Sequence, residues 1–399
     1  MLTPAEADRL IGAHLPRLPV ESLPLLQCAG AVLHEEIRAE RDQPPFDRVA
    51  MDGIAIDSRA ARDGRRRFRV QAIQAAGDAP LTLAADDHCI EIMTGAMLAR
   101  GCDAVVPIER VTLRDGLAEL EAGCAVTAWQ NVHRAGSDCR RDAPLLAAGM
   151  RLRAPEIAIA AANGASRLRV SAQPSMVVVS TGSELVDPGE PILPHQVRRS
   201  NAYGLVAQLR LHGYGRVADD HVPDDPALLA QRLQAHLDTH DVLILSGGVS
   251  AGRLDLVPQT LAALGVRRHF HKIAQRPGKP LWFGTTSRGT IVFGLPGNPV
   301  SSFVCLSRYV LPALRLAMGG PATAPERLAL AAPVRTKPAL ACFVPVCIGQ
   351  DAAGHRLATP RETNGSGDFT SLTGTDGFVE LPPGPDAYEP GYVAPFYAW

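Results

Sequence analysis

Three stretches of this chain end a short apolar run in glycines and a group able to hold a ligand. The run at 242–245 (VLIL) stops at Ser246-Gly247-Gly248, and Ser250, Gly252 and Asp255 follow. The run at 176–180 (MVVVS) passes into Thr181-Gly182-Ser183-Glu184, and the run at 290–293 (TIVF) into Gly294-Leu295-Pro296-Gly297-Asn298-Pro299. Runs of this kind suit parallel strands buried on both faces. Glycines let the backbone turn sharply and approach a ligand closely. Ligands in open α/β sheets sit past the carboxyl ends of strands, so three such turns predict a shared pocket. Glu184, Asp224, Asp225 and Asp255 each fall near a predicted strand end. Gathered carboxylates repel one another unless a cation or a donor-rich ligand stands between them. Magnesium, which takes one or two carboxylates plus phosphate oxygens, suits them; so does a heterocycle with adjacent N–H donors. Lys272, Arg276 and Lys279, in the Pro-Gly turn KIAQRPGKP, add cations fit for an oxyanion. Free backbone N–H groups after Asn298 and around Gly247-Gly248 add further anion donors. Acids and bases together imply an anionic ligand bridged by a divalent cation.

The elements that must carry these groups alternate strand and helix from 175 to 318, which predicts a three-layer α/β sandwich with a mainly parallel sheet. Thr3-Pro4-Ala5-Glu6 is a capping box with proline at the first helical position, so a helix begins there. Short alternating apolar runs between about 54 and 138 predict an inserted β domain, and the Pro/Gly-rich tail a small β-barrel. The expected partition is 1–41 with 139–173 as one discontinuous linker or dimerisation domain, 42–138 as the inserted β domain, 174–320 as the α/β domain and 321–399 as the barrel.

At 399 residues with a formal net charge of −1, the chain is multidomain and unlike a nucleic-acid or membrane-surface binder. No apolar run reaches the roughly 18 residues of a membrane span. The start, MLTPAEADRL, lacks the layout of a signal peptide, so a cytoplasmic protein is expected. Eight scattered cysteines without a CxxC argue against a disulfide framework or a zinc site. His269 and His271 share one face of a predicted strand but have no evident third metal ligand. Gly213, Gly215 and Ala218 spell a dinucleotide fingerprint in the wrong place, after a helix and before a strand.

Eight motifs occur in register: PPFDRVAMDG (44–53), EIMTGA (91–96), NVHRAGSD (131–138), STGSEL (180–185), PDD (223–225), SGGVSAGRLD (246–255), KIAQRPGKP (272–280) and GLPGNPVSS (294–302). Together they resemble the molybdopterin molybdenumtransferases, the MoeA and gephyrin E-domain family. The resemblance covers nearly the whole chain and is weakest after about 330. It implies an enzyme that takes adenylylated molybdopterin and molybdate, inserts molybdenum at the dithiolene and releases AMP with a divalent cation, usually magnesium. It also implies four domains and a homodimer, with each active cleft shared between the α/β domain of one copy and the β insertion of the other. Transient contact with the adenylyltransferase that supplies the substrate would follow.

By motif match, Glu184, Asp224 and Asp255 bind the pterin end and the cation, while Lys272, Arg276 and Lys279, on the turn with Pro277 and Gly278, hold molybdate or phosphate. Asp52, Thr94, His133 and Arg134 reach in from the partner copy. Thr181, Gly182, Asp225, Ser246, Gly247, Gly248, Ser250, Pro296, Gly297, Asn298, Pro299 and Ser301 complete the substrate site. The resemblance makes Asp52, Glu184, Asp224, Asp255 and Lys272 the catalytic set. The chain departs from the family at Arg253, where an acid is usual, and at His133, Arg276, Val49 and Ile54, which replace arginine, lysine, serine and tyrosine. An imidazole at 133 would make anion affinity depend on pH. The competing readings are a non-catalytic scaffold on the same fold and a pterin adenylyltransferase.

Overall fold

The computed structural model describes residues 1–249 and 256–399, so Ser250, Gly252, Arg253 and Asp255 lie outside the described residues. Two compact units divide the chain. One comprises Met1–His34, Ala148–Arg153 and Arg167–Trp399; the other comprises Glu35–Ala147 and Ala154–Ser166.

The first unit is built on a six-stranded sheet. Its strands are β1 (Met176–Thr181), β2 (Val217–Val222), β3 (Val242–Ser246), β4 (Arg267–His271), β5 (Trp282–Thr285) and β6 (Ile291–Leu295), in the order β2-β1-β3-β6-β5-β4. β2, β1, β3 and β6 run parallel. β5 is antiparallel to β6, and β4 to β5, so β4 runs in the same direction as β6. Every residue of β1, β3 and β6 is buried, as strands covered on both faces must be. Val178, Ile244 and Phe293 face one helical layer with Leu205 and Leu314, while Val177, Leu243 and Val292 face the other with Leu229 and Leu233.

The helices start where the sequence provides caps. Thr3 Oγ1 accepts from the Glu6 amide at 3.2 Å, and the Glu6 carboxylate accepts from the Thr3 amide at 2.7 Å, which fixes the helix Pro4–His14. Asp225 caps Pro226–Thr239, a helix that buries Leu229, Leu233 and Leu237 at intervals of four. Each such leucine contributes about 1.5–3 kcal/mol when fully buried. The helix Pro299–Ala317 is long and apolar enough, by length and composition, to cross a membrane, although Ser301, Ser302, Ser307, Arg308 and Arg315 interrupt its apolar run. It is nevertheless a core helix: Leu306, Tyr309, Val310, Ala313, Leu314 and Ala317 all pack into the central cluster. A π turn widens it at Leu306–Val310. Pro312 explains the widening, since it offers no amide and its ring crowds the carbonyl four residues back.

Five C-terminal strands, Glu326–Leu330, Ala341–Gln350, Arg356–Pro360, Gly377–Leu381 and Val393–Ala398, pair in a closed ring. Closure leaves the barrel no unpaired edge. Gln275–Arg276 adds to it in parallel, alongside Ala341 and Cys342.

The second unit holds another six-stranded sheet, with the order Ala104–Pro107, Gly53–Ile56, His88–Ile92, Arg67–Gln74, Leu117–Leu120, Val111–Arg114. Ile54, Ile56, Phe68, Cys89 and Val106 fill its core. Beside it, Arg48–Val49 pairs with Val132–His133. The molecule is thus multidomain α/β plus β, with a three-layer sandwich at its centre and a closed C-terminal barrel.

Candidate active site

The chain leaves β1 for β2 on one side and later returns to β3 on the other, so the topological switch point lies between β1 and β3. In open α/β sheets this crevice is where ligands bind. The turns at 181–184, 223–225, 246–249 and 296–299 all follow carboxyl ends of parallel strands. Because β4 runs with β6, the basic turn 272–281 opens on that same edge of the sheet. His271 ties it there, with Nε2 2.8 Å from the carbonyl oxygen of Val249. His269 is likewise bonded, to Thr285 at 2.8 Å, and stacks on His14. Both imidazoles are thus held by hydrogen bonds within the fold.

The floor of the crevice is short of hydrogen-bond partners. Ser180 Oγ, Thr181 Oγ1 and Asn201 Oδ1 are buried and have none among the described residues. Leaving such a group unpaired costs about 1–3 kcal/mol, so a ligand or water that pairs them gains that much. The amide of Asn201 reaches two turns at once, donating to Ser246 Oγ at 3.1 Å and to the Gly297 carbonyl at 2.7 Å. Gly247 and Gly248 lie at φ +99° and +64°. A Cβ on Gly248 would stand 2.8 Å from both Thr181 Oγ1 and Val257 Cγ2, so no side chain fits.

The acidic loops are laced together. The Ser183 amide donates to Asp224 Oδ2 at 3.1 Å and the Asp224 amide to Ser183 Oγ at 2.9 Å. Glu184 folds its carboxylate back over Gly182, whose carbonyl lies 2.8 Å from His221 Nε2. Glu184 and Asp224 are both exposed. Asp225 is used differently, its carboxylate accepting from the Leu228 amide at 2.7 Å as a helix cap. Among the described residues no group of three acids, histidines or cysteines could hold a metal. Two exposed carboxylates such as Glu184 and Asp224 are, however, what magnesium asks of a protein when phosphate oxygens and water supply the rest.

Gln275 shapes the basic turn. Its side chain, 1% exposed, donates to the Pro277 carbonyl at 3.1 Å and accepts from Tyr309 Oη. Lys272 adopts φ +77°, a region few non-glycine residues occupy, at a cost of order 1–3 kcal/mol. Arg276 and Lys279 are exposed on the turn and Lys272 is half-buried. Asn298, at the cap of Pro299–Ala317, does not bond its own helix; its amide donates to Ser366 Oγ at 2.7 Å. Ser301 is buried, and Ser302 Oγ donates to the Pro296 carbonyl.

In the second unit, Arg48, Val49, Ala50, Thr94, Gly95 and His133 line a pocket of about 340 Å³. Thr94 donates through both its amide and Oγ1 to Asp52 Oδ1, each at 2.6 Å. Those two bonds, the hydroxyl's the stronger influence, hold the exposed Asp52 carboxyl below its ordinary range. Arg134 is turned toward other groups, its guanidinium 3.7 Å over the Trp129 ring and its Nε 3.7 Å from Asp47. Arg48, Asn201, His221, Gln275 and Ser366 were not anticipated. Each has at least one bonding partner more than thirty positions away in sequence.

Comparison with known proteins places this architecture. Residues 2–164 match the MoeA N-terminal region (domain I and II), 177–316 a probable molybdopterin binding domain, and 327–399 the MoeA C-terminal region (domain IV). A molybdopterin molybdenumtransferase of Synechocystis sp. is 37% identical, with all of both chains covered. The chain belongs to the molybdopterin molybdenumtransferase family. A second such relative, molybdopterin molybdenumtransferase 2 of Mycobacterium tuberculosis, is 32% identical over 79% of this chain and 80% of its own. A molybdopterin biosynthesis MoeA protein from Pyrococcus horikoshii superposes over 100% of this chain and 99% of its own, with a TM-score of 0.80 at 28% identity. In this chain Val49 and Ile54 are both packed in apolar cores.

Proposed function

We propose that this chain inserts molybdenum from molybdate into adenylylated molybdopterin, releasing AMP. The observation that carries the reading is the convergence of the acidic turns, the Gly-Gly turn and the basic turn on one edge of the sheet, at its switch point. Glu184 and Asp224, with Asp255, would hold the divalent cation and accept from the pterin's donor edge. Magnesium bound there would neutralise phosphate oxygens as the phosphoanhydride breaks. Lys272, Arg276 and Lys279 give a tetrahedral dianion such as molybdate charge-assisted donors. The oxygens of Ser180, Thr181 and Asn201, unpaired among the described residues, suit a ligand rich in N–H and O–H groups.

Asp52, Thr94 and His133 would come from a second copy in a homodimer, completing a cleft that the α/β domain begins. The four-domain partition expected from the sequence belongs to this reading. So does the cytoplasmic setting expected from the sequence. The test is incubation of the full chain with adenylylated molybdopterin, molybdate and magnesium, with AMP followed by chromatography. AMP that forms only when molybdate is present supports the proposal. Adenylylation of molybdopterin from ATP would point to an adenylyltransferase, and no product at all to a scaffold; either outcome defeats it.

A further inference from the structure

The pocket of the second unit contains a guanidinium aimed by a histidine. Arg48 Nη2 lies 3.2 Å from His133 Nδ1, and His133 Nε2 lies 2.7 Å from Asp138 Oδ1. A guanidinium can only donate, so His133 Nδ1 accepts and bears no proton in this arrangement. Nε2 then carries the ring proton and donates to the carboxylate. The imidazole is thus fixed in one tautomer, and Arg48 supplies the positive charge at this place. Arg48 is exposed, pairs with His133 and has no carboxylate within ion-pair distance among the described residues. Four of its five N–H donors are left for a ligand. Neither Asp52 nor Asp138 lines the pocket, and each carboxylate is engaged, Asp52 by Thr94 and Asp138 by His133. Asp47 is taken up by the Ala135 amide and Arg134.

We infer that Arg48 is the oxyanion-binding residue of this pocket, with His133 as its positioning residue. A planar fork of donors, held by one bond and otherwise open, matches the oxygen edge of a phosphate or molybdate. This role rests on the proposed reaction, in which the ligand brings either a nucleotide phosphate or molybdate.

Calorimetric titration of the full-length protein with AMP and, separately, with molybdate tests the inference. Arg48→Ala is expected to weaken one of the two at least tenfold, and the ligand affected tells phosphate from metal oxyanion. Arg48→Lys, which keeps the charge but loses the fork, is expected to recover part of that loss. His133→Asn keeps an acceptor where Nδ1 stood and is expected to retain affinity, whereas His133→Gln places its amide at the Nε2 position and is expected to lose it. A purely structural histidine would give the two variants no such order. If wild type releases AMP while Arg48→Ala binds both ligands unchanged, the inference falls and the reaction stands. If wild type releases no AMP yet Arg48→Ala still loses oxyanion affinity, the reaction falls and the role of Arg48 survives.

Discussion

The crevice of the α/β domain and the pocket of the β unit prepare for a ligand in opposite ways. In the crevice, Ser180 Oγ, Thr181 Oγ1 and Asn201 Oδ1 are buried without partners among the described residues, and the surrounding turns are locked by glycines and one amide. In the pocket and at its margin, Arg48, Thr94, His133 and Asp52 are each bonded to a neighbour and half or fully exposed. The first site stores unmet hydrogen bonding, which only a low-dielectric floor makes valuable. The second offers fixed charge at a wet surface, where hydrogen bonds set direction and salt screens the attraction. Damage to the crevice should therefore cost stability as well as turnover. Damage to the pocket should cost turnover alone.

The largest effect is expected from Gly248→Val. Its side chain would meet Thr181 Oγ1 and Val257 Cγ2 at 2.8 Å while forced to φ +64°. A loss of about 1–3 kcal/mol in urea denaturation is expected from the backbone alone. AMP release should fall a hundredfold or more. Activity within threefold of wild type would show that the Gly-Gly turn does not shape the crevice. Asn201→Ala comes next. It frees Ser246 Oγ and the Gly297 carbonyl together, and with them the link between the turns after β3 and β6. About 1–2 kcal/mol of stability and roughly tenfold in turnover should go. A variant that loses turnover with an unchanged unfolding midpoint would erase the contrast between the two sites.

Legibility in the sequence follows the same division. The crevice was readable because its signals are local: apolar runs of 176–180 and 242–245 ending in glycine, acids just after strands, Pro299 opening a helix. The alternation of strand and helix fixed the sandwich, and Thr3 announced its helix through capping chemistry. What was missed depends on tertiary contact. Asn201 bonds residues 45 and 96 positions away, Asn298 bonds one 68 away, and Arg48 meets His133 across 85. No spacing rule of helix or strand reaches that far. Asp225 looked like a ligand because a carboxylate after a strand serves equally well as a cap.

The smallest effect, and the sharpest on the pocket side, belongs to Asp52→Asn. Asparagine keeps an oxygen where both Thr94 donors converge, so the geometry survives and only the charge leaves. Turnover should drop severalfold, with the melting temperature near pH 7 altered little. The acid limb carries the test. The folded Asp52 carboxyl is held below its ordinary range by Thr94. Its contribution is therefore present above the unfolded value of about 3.9 and lost as pH falls through the lower folded value. Melting temperatures of wild type and Asp52→Asn should accordingly keep the same small gap from pH 7 down to about pH 5 and converge as the pH falls well below the unfolded value. A constant gap across that range would mean that Thr94 does not act on the charge of Asp52, and the pocket could no longer be described as fixed charge aimed by hydrogen bonds.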